Sequence, residues 1–328
     1  FEKVVPEARH AVVAVGNFDG VHLGHQAVIA EAGRIARELG ARHALLTFEP
    51  HPRSVFQPDA PPFRLTPFRM KAHCIEGLGV EFLFVLHFDL AFSEVAAEDF
   101  VERVLVEGLE ARHAVVGYDF VFGHGRRGNA ELLAAMAPPL GLGVTSVPAA
   151  HAPSGESYSS TRIRECLGAG EPRRAAELLG RCWEIEGRVA SGDGRGVALG
   201  FPTANVHFDE YLHPAHGVYA VRAGIDLGRE TAWREGVANF GRRPTFEGEG
   251  ELLEVHLFDH SGTLYGRHLR VALVDFLRPE QKFDDADALK AQIADDCRRA
   301  RMILAETRAT FRPADLPPAA AGGAAGAA

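Results

Sequence analysis

Near residue 180 the sequence changes its rhythm, and that change limits the folds open to it. Before it, apolar runs of strand type alternate with stretches of helical spacing. Ala11–Val15 ends in the Gly- and Asp-bearing turn Gly16–Gly20, and His25–Leu39 follows with Val28, Ile29, Ala32, Ile35, Ala36 and Leu39 at helical spacing. Ala44–Phe48, Glu81–Leu86, His113–Gly117 and Gly143–Val147 read as further strands. Met70–Leu78, Glu98–Val106 and Asn129–Met136 read as the helices between them. Such alternation implies crossover connections and a mostly parallel sheet with helices on both faces. Ligands of such sheets sit beyond the carboxyl ends of the strands, so the loops starting at Gly16, Glu49 and Tyr118 should converge on one site.

After residue 180 the strands follow one another without helices: Cys182–Val189, Gly217–Ala223, Gly236–Asn239, Leu252–Phe258 and Leu269–Phe276. Gly- and Pro-bearing turns separate them, which predicts an antiparallel barrel or sandwich. A last helix, Asp284–Thr307, carries Leu289, Ile293 and Cys297 on one face and can cover an open end. The expected organisation is therefore an α/β domain over 1–180, an antiparallel β-barrel domain with a C-terminal helix over 181–312, and a Pro-, Ala- and Gly-rich disordered tail over 313–328.

Composition narrows the function. At 328 residues there is chain enough for two cores, and a formal charge of −9 disfavours general binding of nucleic acid or anionic membrane. Any phosphate must be held locally. The four cysteines, Cys74, Cys166, Cys182 and Cys297, are scattered and read as reduced thiols of a cytosolic protein. There is no bilayer-length apolar run and no signal-peptide pattern. Because the sequence begins at Phe1 rather than Met, a short missing leader is one expectation.

The stretch from Gly16 to His25, GNFDGVHLGH, carries the most chemistry. His22 and His25 frame Gly24 between a strand and a helix start, where unpaired amides and the dipole favour an anion. Two imidazoles there add donors to a nucleotide α-phosphate, and Gly24 lets backbone come close. Nucleotidyl transfer needs such positioning and charge neutralisation more than covalent chemistry. The competing reading is two surface histidines beside a glycine turn. Farther on, Tyr158–Arg164 opens another helix with Ser160, Thr161, Arg162 and Arg164. These residues suit helix capping and surface charge, and equally a clamp for β- and γ-phosphates.

In the second half, Gly192, Gly194, Gly196 and Gly200 lead into Pro202-Thr203-Ala204-Asn205. With no Lys after the last glycine, this is not a Walker loop. The glycines alone suit a flexible surface loop. Thr203 and Asn205, two apart in extended chain, share one side and can hold Mg²⁺ between ATP phosphates.

GNFDGVHLGH, TFEPHP (Thr47–Pro52), VVGYDFVFG (Val115–Gly123) and SSTRIR, in that order, resemble the adenylyltransferase module of the bacterial bifunctional riboflavin kinase/FAD synthetases. GFPTAN resembles their kinase module, as do Gly217-Val-Tyr-Ala, Leu264-Tyr-Gly and Phe276-Leu-Arg-Pro-Glu-Gln-Lys-Phe283. The matches run from residue 11 to about 305. The resemblance implies phosphorylation of riboflavin to FMN and adenylylation of FMN to FAD, each with ATP and Mg²⁺. It implies that Asn17, His22 and His25 contact ATP phosphates, that Ser160, Thr161 and Arg164 hold the pyrophosphate side, and that Asp119 lies at the flavin end. It makes Glu254, whose apolar neighbours on a later strand would raise its basicity, the candidate kinase base, with Glu251 and Asp259 as rivals. Phe56, Phe120 and Phe122 are candidates for a flavin wall or plain core aromatics. Val197-Ala198 departs from the polar pair expected in the glycine loop. Two rivals remain open at this point: a nucleotidylyltransferase for another phosphate ester, and a non-catalytic flavin-binding protein. Direct handover of FMN between the sites requires contact between domains or self-association of the chain.

Overall fold

A computed structural model describes residues 4–152, 155–190, 196, 199–228, 230–245 and 248–311, the side chains of 242–250 excepted. The expected disordered tail over 313–328 lies outside the described residues. The chain forms two compact units. One runs to Pro61 and resumes over Thr66–Ser159; the other joins Pro62–Leu65 to the chain from Ser160 onward.

In the first unit, β1 (Val12–Val15), β2 (His43–Glu49), β3 (Phe82–His87), β4 (His113–Gly117) and, after a small hairpin of β5 (Val121–Phe122) and β6 (Gly128–Asn129), β7 (Gly143–Val147) build the core. The five long strands form one parallel sheet in the order β3-β2-β1-β4-β7. Every residue of β1 is buried, as expected of a central strand covered on both faces, which explains its unbroken apolar run. Helix α1 (Leu23–Leu39) turns Val28, Ile29, Ala32, Ile35 and Ala36 inward and ends at Gly40, whose φ of 60° suits a residue without a Cβ. Helix α2 (Phe68–Glu76) links β2 to β3, and α3 (Phe100–Gly108), which leads into β4, is π-wound. Helix α4 (Ala130–Met136) is capped by Asn129, so the helix expected to start there starts one residue later.

The second unit opens with helices α5 (Ser160–Gly168) and α6 (Pro172–Leu179), ahead of the barrel. Strands β8 (Trp183–Ala190), β9 (Ala204–Val206), β10 (Gly217–Asp226), β11 (Thr231–Thr245), β12 (Gly248–Leu257) and β13 (His268–Pro279) close antiparallel in the order β10-β11-β12-β9-β8-β13. The choice between barrel and sandwich is settled as a closed barrel. The barrel strand that no sequence period announces is β9, three residues long, which takes Ala204 and Asn205 from the PTAN segment and adds Val206. Helix α7 (Ala286–Glu306) starts at the cap Asp285 and buries Asp296, Ala300 and Leu304 against the barrel. Arg278 grips the buried Asp296 at 2.8 Å, and Arg222 donates to Leu304 O at the helix end. A buried ion pair in the barrel, Arg270 to Glu184 Oε2 at 2.8 Å, is satisfied by two donors of the one guanidinium.

Candidate functional site

The order of the parallel sheet reverses between β1 and β4, and such a switch point opens a crevice at the strand ends. β1, β2 and β4 are adjacent and parallel, so the loops after Gly16, Glu49 and Tyr118 leave the sheet by the same edge. The Gly16 loop is unusual backbone. Phe18 and Val21 sit in the left-handed region with φ of 50° and 45°, as does Gly20 at 90°. Non-glycine residues there cost on the order of 1–3 kcal/mol each and persist only where surroundings over-determine them. Those surroundings are visible. Gly16 N–H donates to Leu46 O at 3.1 Å, and Thr47 Oγ1 donates to Asn17 O at 3.2 Å. The buried Asp19 carboxylate accepts from Thr66 N–H at 3.0 Å, and Gly20 N–H donates to Thr66 Oγ1 at 2.8 Å.

His22 ends the loop as the cap of α1. Its Nδ1 accepts from His25 N–H at 3.2 Å. A nitrogen that accepts carries no proton, so the neutral ring keeps its proton on Nε2, a donor. The His22 and His25 rings stack with centroids 3.6 Å apart, and Phe18 meets His25 edge-on at 5.3 Å. Of the amides expected to be unpaired at this helix start, one, His25 N–H, is taken by the His22 ring. Gly24 has a second reason besides backbone approach. A Cβ there would stand 3.1 Å from the His22 ring and 3.2 Å from Tyr158 Cβ.

Asn17 is exposed at the lip of this loop. Asp119 is exposed just beyond β4, with Oδ1 folded back to 3.1 Å from where a Cβ on Gly117 would lie. Phenylalanines link Phe56, Phe88, Phe48, Phe100, Phe122 and Phe120 in an unbroken series, with neighbouring centroids 5.3–6.2 Å apart. Phe122 is a core residue, whereas Phe56, at the far end, is 57% exposed. Ser160 and Thr161 occupy the first turn of α5, which belongs to the second unit. There Arg164 Nε donates to Phe63 O at 2.8 Å and the guanidinium lies over the Phe63 ring, while Arg162 pairs with Glu165 at 3.1 Å.

In the barrel, Glu254 on β12 stands opposite Asn205 on β9 and Asn239 on β11. Leu253, Val255 and Leu257 point into the core, as alternation predicts, and Glu254 and His256 share the other face. Leu252 is buried as well, although it lies on the Glu254 face. The PTAN loop runs over that face: His256 Nδ1 is 2.9 Å from Pro202 O, and its ring meets Phe201 edge-on at 5.5 Å. Thr203 is exposed, while Asn205 is 7% exposed with its Oδ1 buried and lacking a hydrogen-bond partner among the described residues. A buried amide oxygen without a donor suits a hard cation, so these residues fit Mg²⁺.

Gly196 packs on the same loop; a Cβ there would fall 2.4 Å from Phe201 O and 3.0 Å from Thr203 Oγ1. Gly200 takes a φ of 87°. Gly192 and Gly194 lie outside the described residues. The rival Glu251 is held by two histidines, 3.0 Å from His216 Nε2 and 3.6 Å from His213 Nδ1. The other rival, Asp259, is bound to Arg301 at 2.9 Å, which keeps its carboxyl below the usual range.

The FAD synthetase family model matches residues 4–162, and the riboflavin kinase family model matches 179–304. The bifunctional riboflavin kinase/FMN adenylyltransferase of Escherichia coli K12 is 39% identical over 297 residues, covering 90% of this chain and 94% of that protein. This chain belongs to the bifunctional riboflavin kinase/FMN adenylyltransferase family. The Pseudomonas fluorescens protein of the same description is 41% identical over 301 residues, or 92% of this chain and 95% of that one. A crystal structure described as a macrolide-efflux protein from Streptococcus pneumoniae shares the fold with a TM-score of 0.80 and 31% identity, covering 91% of this chain and 95% of that one. Efflux belongs to that description alone. Among the described residues of the present kinase/adenylyltransferase, no helix is long and apolar enough to cross a membrane. Membership makes the chain a transferase with two activities, riboflavin phosphorylation and FMN adenylylation, and it carries one matched domain for each.

Proposed function

We propose that riboflavin is phosphorylated on the Glu254 face of the barrel and that FMN is adenylylated at the carboxyl edge of the parallel sheet. The functional division we read has the adenylyltransferase over 1–180 and the kinase over 181–312; family matches at 4–162 and 179–304 support a division near residue 180. In the kinase reaction Glu254 takes the proton of the ribityl hydroxyl, the hydroxyl oxygen bonds to the γ-phosphorus, and ADP leaves. A positioned base of this kind contributes roughly 10²–10⁴ in rate. Thr203 and Asn205 would hold Mg²⁺, which neutralises phosphate charge when bound with ATP. Gly196 and Gly200 let the loop backbone approach those phosphates. The observation that carries this half is the cross-strand pair of Glu254 with Asn205, whose buried oxygen lacks a donor among the described residues.

In the second reaction an FMN phosphate oxygen bonds to the α-phosphorus of ATP and pyrophosphate leaves. His22 Nε2 and His25 donate to the phosphates from the start of α1, with Asn17 at the lip, and the left-handed loop keeps these donors preorganised. Asp119 and the exposed ring of Phe56 serve the flavin end. Ser160, Thr161 and Arg164 serve the pyrophosphate side. The four cysteines are thiols rather than disulfides, which supports a reducing, cytoplasmic setting. Self-association would offer FMN a route between sites of neighbouring copies. Turnover of riboflavin with ATP and Mg²⁺, resolving FMN and FAD by chromatography, tests the whole reading. FMN that accumulates without conversion to FAD would remove the adenylyltransferase half.

A further inference from the structure

Lys71 is fully buried on α2, where an ammonium is strongly disfavoured unless its donors are satisfied. Its Nζ donates to Glu49 Oε1 at 2.9 Å and to Thr47 Oγ1 at 3.2 Å. An ammonium can only donate, so the Thr47 hydroxyl must accept from it, and its single proton is left for another acceptor. That acceptor is Asn17 O, at 3.2 Å. The Asn17–Phe18 peptide is trans, so a carbonyl drawn toward Thr47 sends the Phe18 N–H to the opposite side of the peptide plane. Phe18 is also the first of the loop residues in the left-handed region.

We propose that Lys71 and Thr47 are positioning residues for adenylylation: a buried, directional hydrogen-bond relay from Lys71 through Thr47 to Asn17 O sets the peptide that opens the phosphate loop. Neither side chain touches substrate. Both act through the loop backbone, and the inference rests on the reading that Gly16–His25 binds ATP phosphates. Near-attack geometry is steep in distance, and a misplacement of about 1 Å costs up to roughly 10²-fold in rate.

Thr47→Val keeps the shape and removes the relay, so kcat for FAD formation from FMN should fall roughly 10- to 100-fold. FMN formation by the same preparation should be unchanged, and Thr47→Ser should restore FAD formation. Lys71→Met should cost a similar factor, and the double variant no more than the worse single one, because both changes break one relay. A Thr47→Val protein with a lowered Tm but full kcat would overturn the proposal, as would multiplicative losses in the double variant. His22→Ala, assayed alongside, separates the two levels. If it too leaves FAD formation intact, the phosphate-loop reading fails; if Thr47→Val alone is silent, only the relay fails.

Discussion

Asn205 and Glu254 are cross-strand partners in the antiparallel pairing of β9 with β12, and the Asn205 amide oxygen is buried there without a donor among the described residues. A carboxylate and an unsatisfied acceptor side by side form a poor folding contact, one that the proposed kinase site would give a use. Such pairs belong where a ligand completes the hydrogen-bond accounting.

Glu254→Gln keeps the shape and removes the basic carboxylate. FMN formation should fall by roughly 10²–10⁴, while FAD formation from supplied FMN persists. Full kinase activity in this variant would end the role of Glu254. Glu251 is a weak substitute, since His213 and His216 already hold it.

Asn205→Leu replaces a buried acceptor with an apolar side chain of similar size. An unsatisfied buried polar group costs about 1–3 kcal/mol, so the ligand-free variant should melt no lower than the parent by calorimetry. Its kinase activity should be lost at ordinary Mg²⁺ concentrations. A Tm drop together with full kinase activity would contradict both parts.

Replacing His22 and His25 together with Ala should lower FAD formation and spare FMN formation. Removal of one preorganised donor typically costs about 10²–10³ in rate. An unchanged FAD rate would reduce the motif to a helix-capping turn, a role His22 already fills through His25 N–H.

Cutting the chain at 180 should leave a barrel that makes FMN but melts lower than one starting at 160. Helix α6 buries Ala175, Leu178 and Leu179 within the barrel's own unit, and full burial of a leucine is worth about 1.5–3 kcal/mol. Both fragments also lose the acceptor of the buried Trp183 indole, which donates to Leu65 O at 2.8 Å. Thermal melts of the two fragments decide this; equal melting temperatures would show that α5 and α6 add nothing to the barrel.

Burial pushes the Cys182 and Cys297 thiols up to about 11. The raised value keeps the neutral thiol at pH 7, with a thiolate fraction on the order of 10⁻⁴, and only the thiolate is a good nucleophile. Neither residue should be alkylated by iodoacetamide in the native protein at pH 7, and both should be in urea. Mass spectrometry of native adducts at either position would refute the assignment.

Local signals carried most of the architecture. The alternation of strand and helix, the stripe Val28–Ala36 of α1 and the turn residues around Gly16 and Gly40 are properties of neighbours in sequence, and each expected long strand lies within a few residues of an observed one. His22 was legible as a helix-start residue, and Glu254 as the polar member of a half-buried strand. What stayed illegible depends on residues far apart in the chain. Barrel closure rests on the three-residue β9 lying between β12 and β8, and no period can announce so short a strand. The partners of Glu251, His213 and His216, reach it from before β10. The Gly16–His25 loop is held by Thr47 and Thr66, which lie 30 and 47 positions beyond their partners Asn17 and Asp19 as sequence is counted. Periodicity records which face of an element is wet. The hydrogen-bond partners of a buried polar group are chosen by packing, and only the tertiary structure decided them.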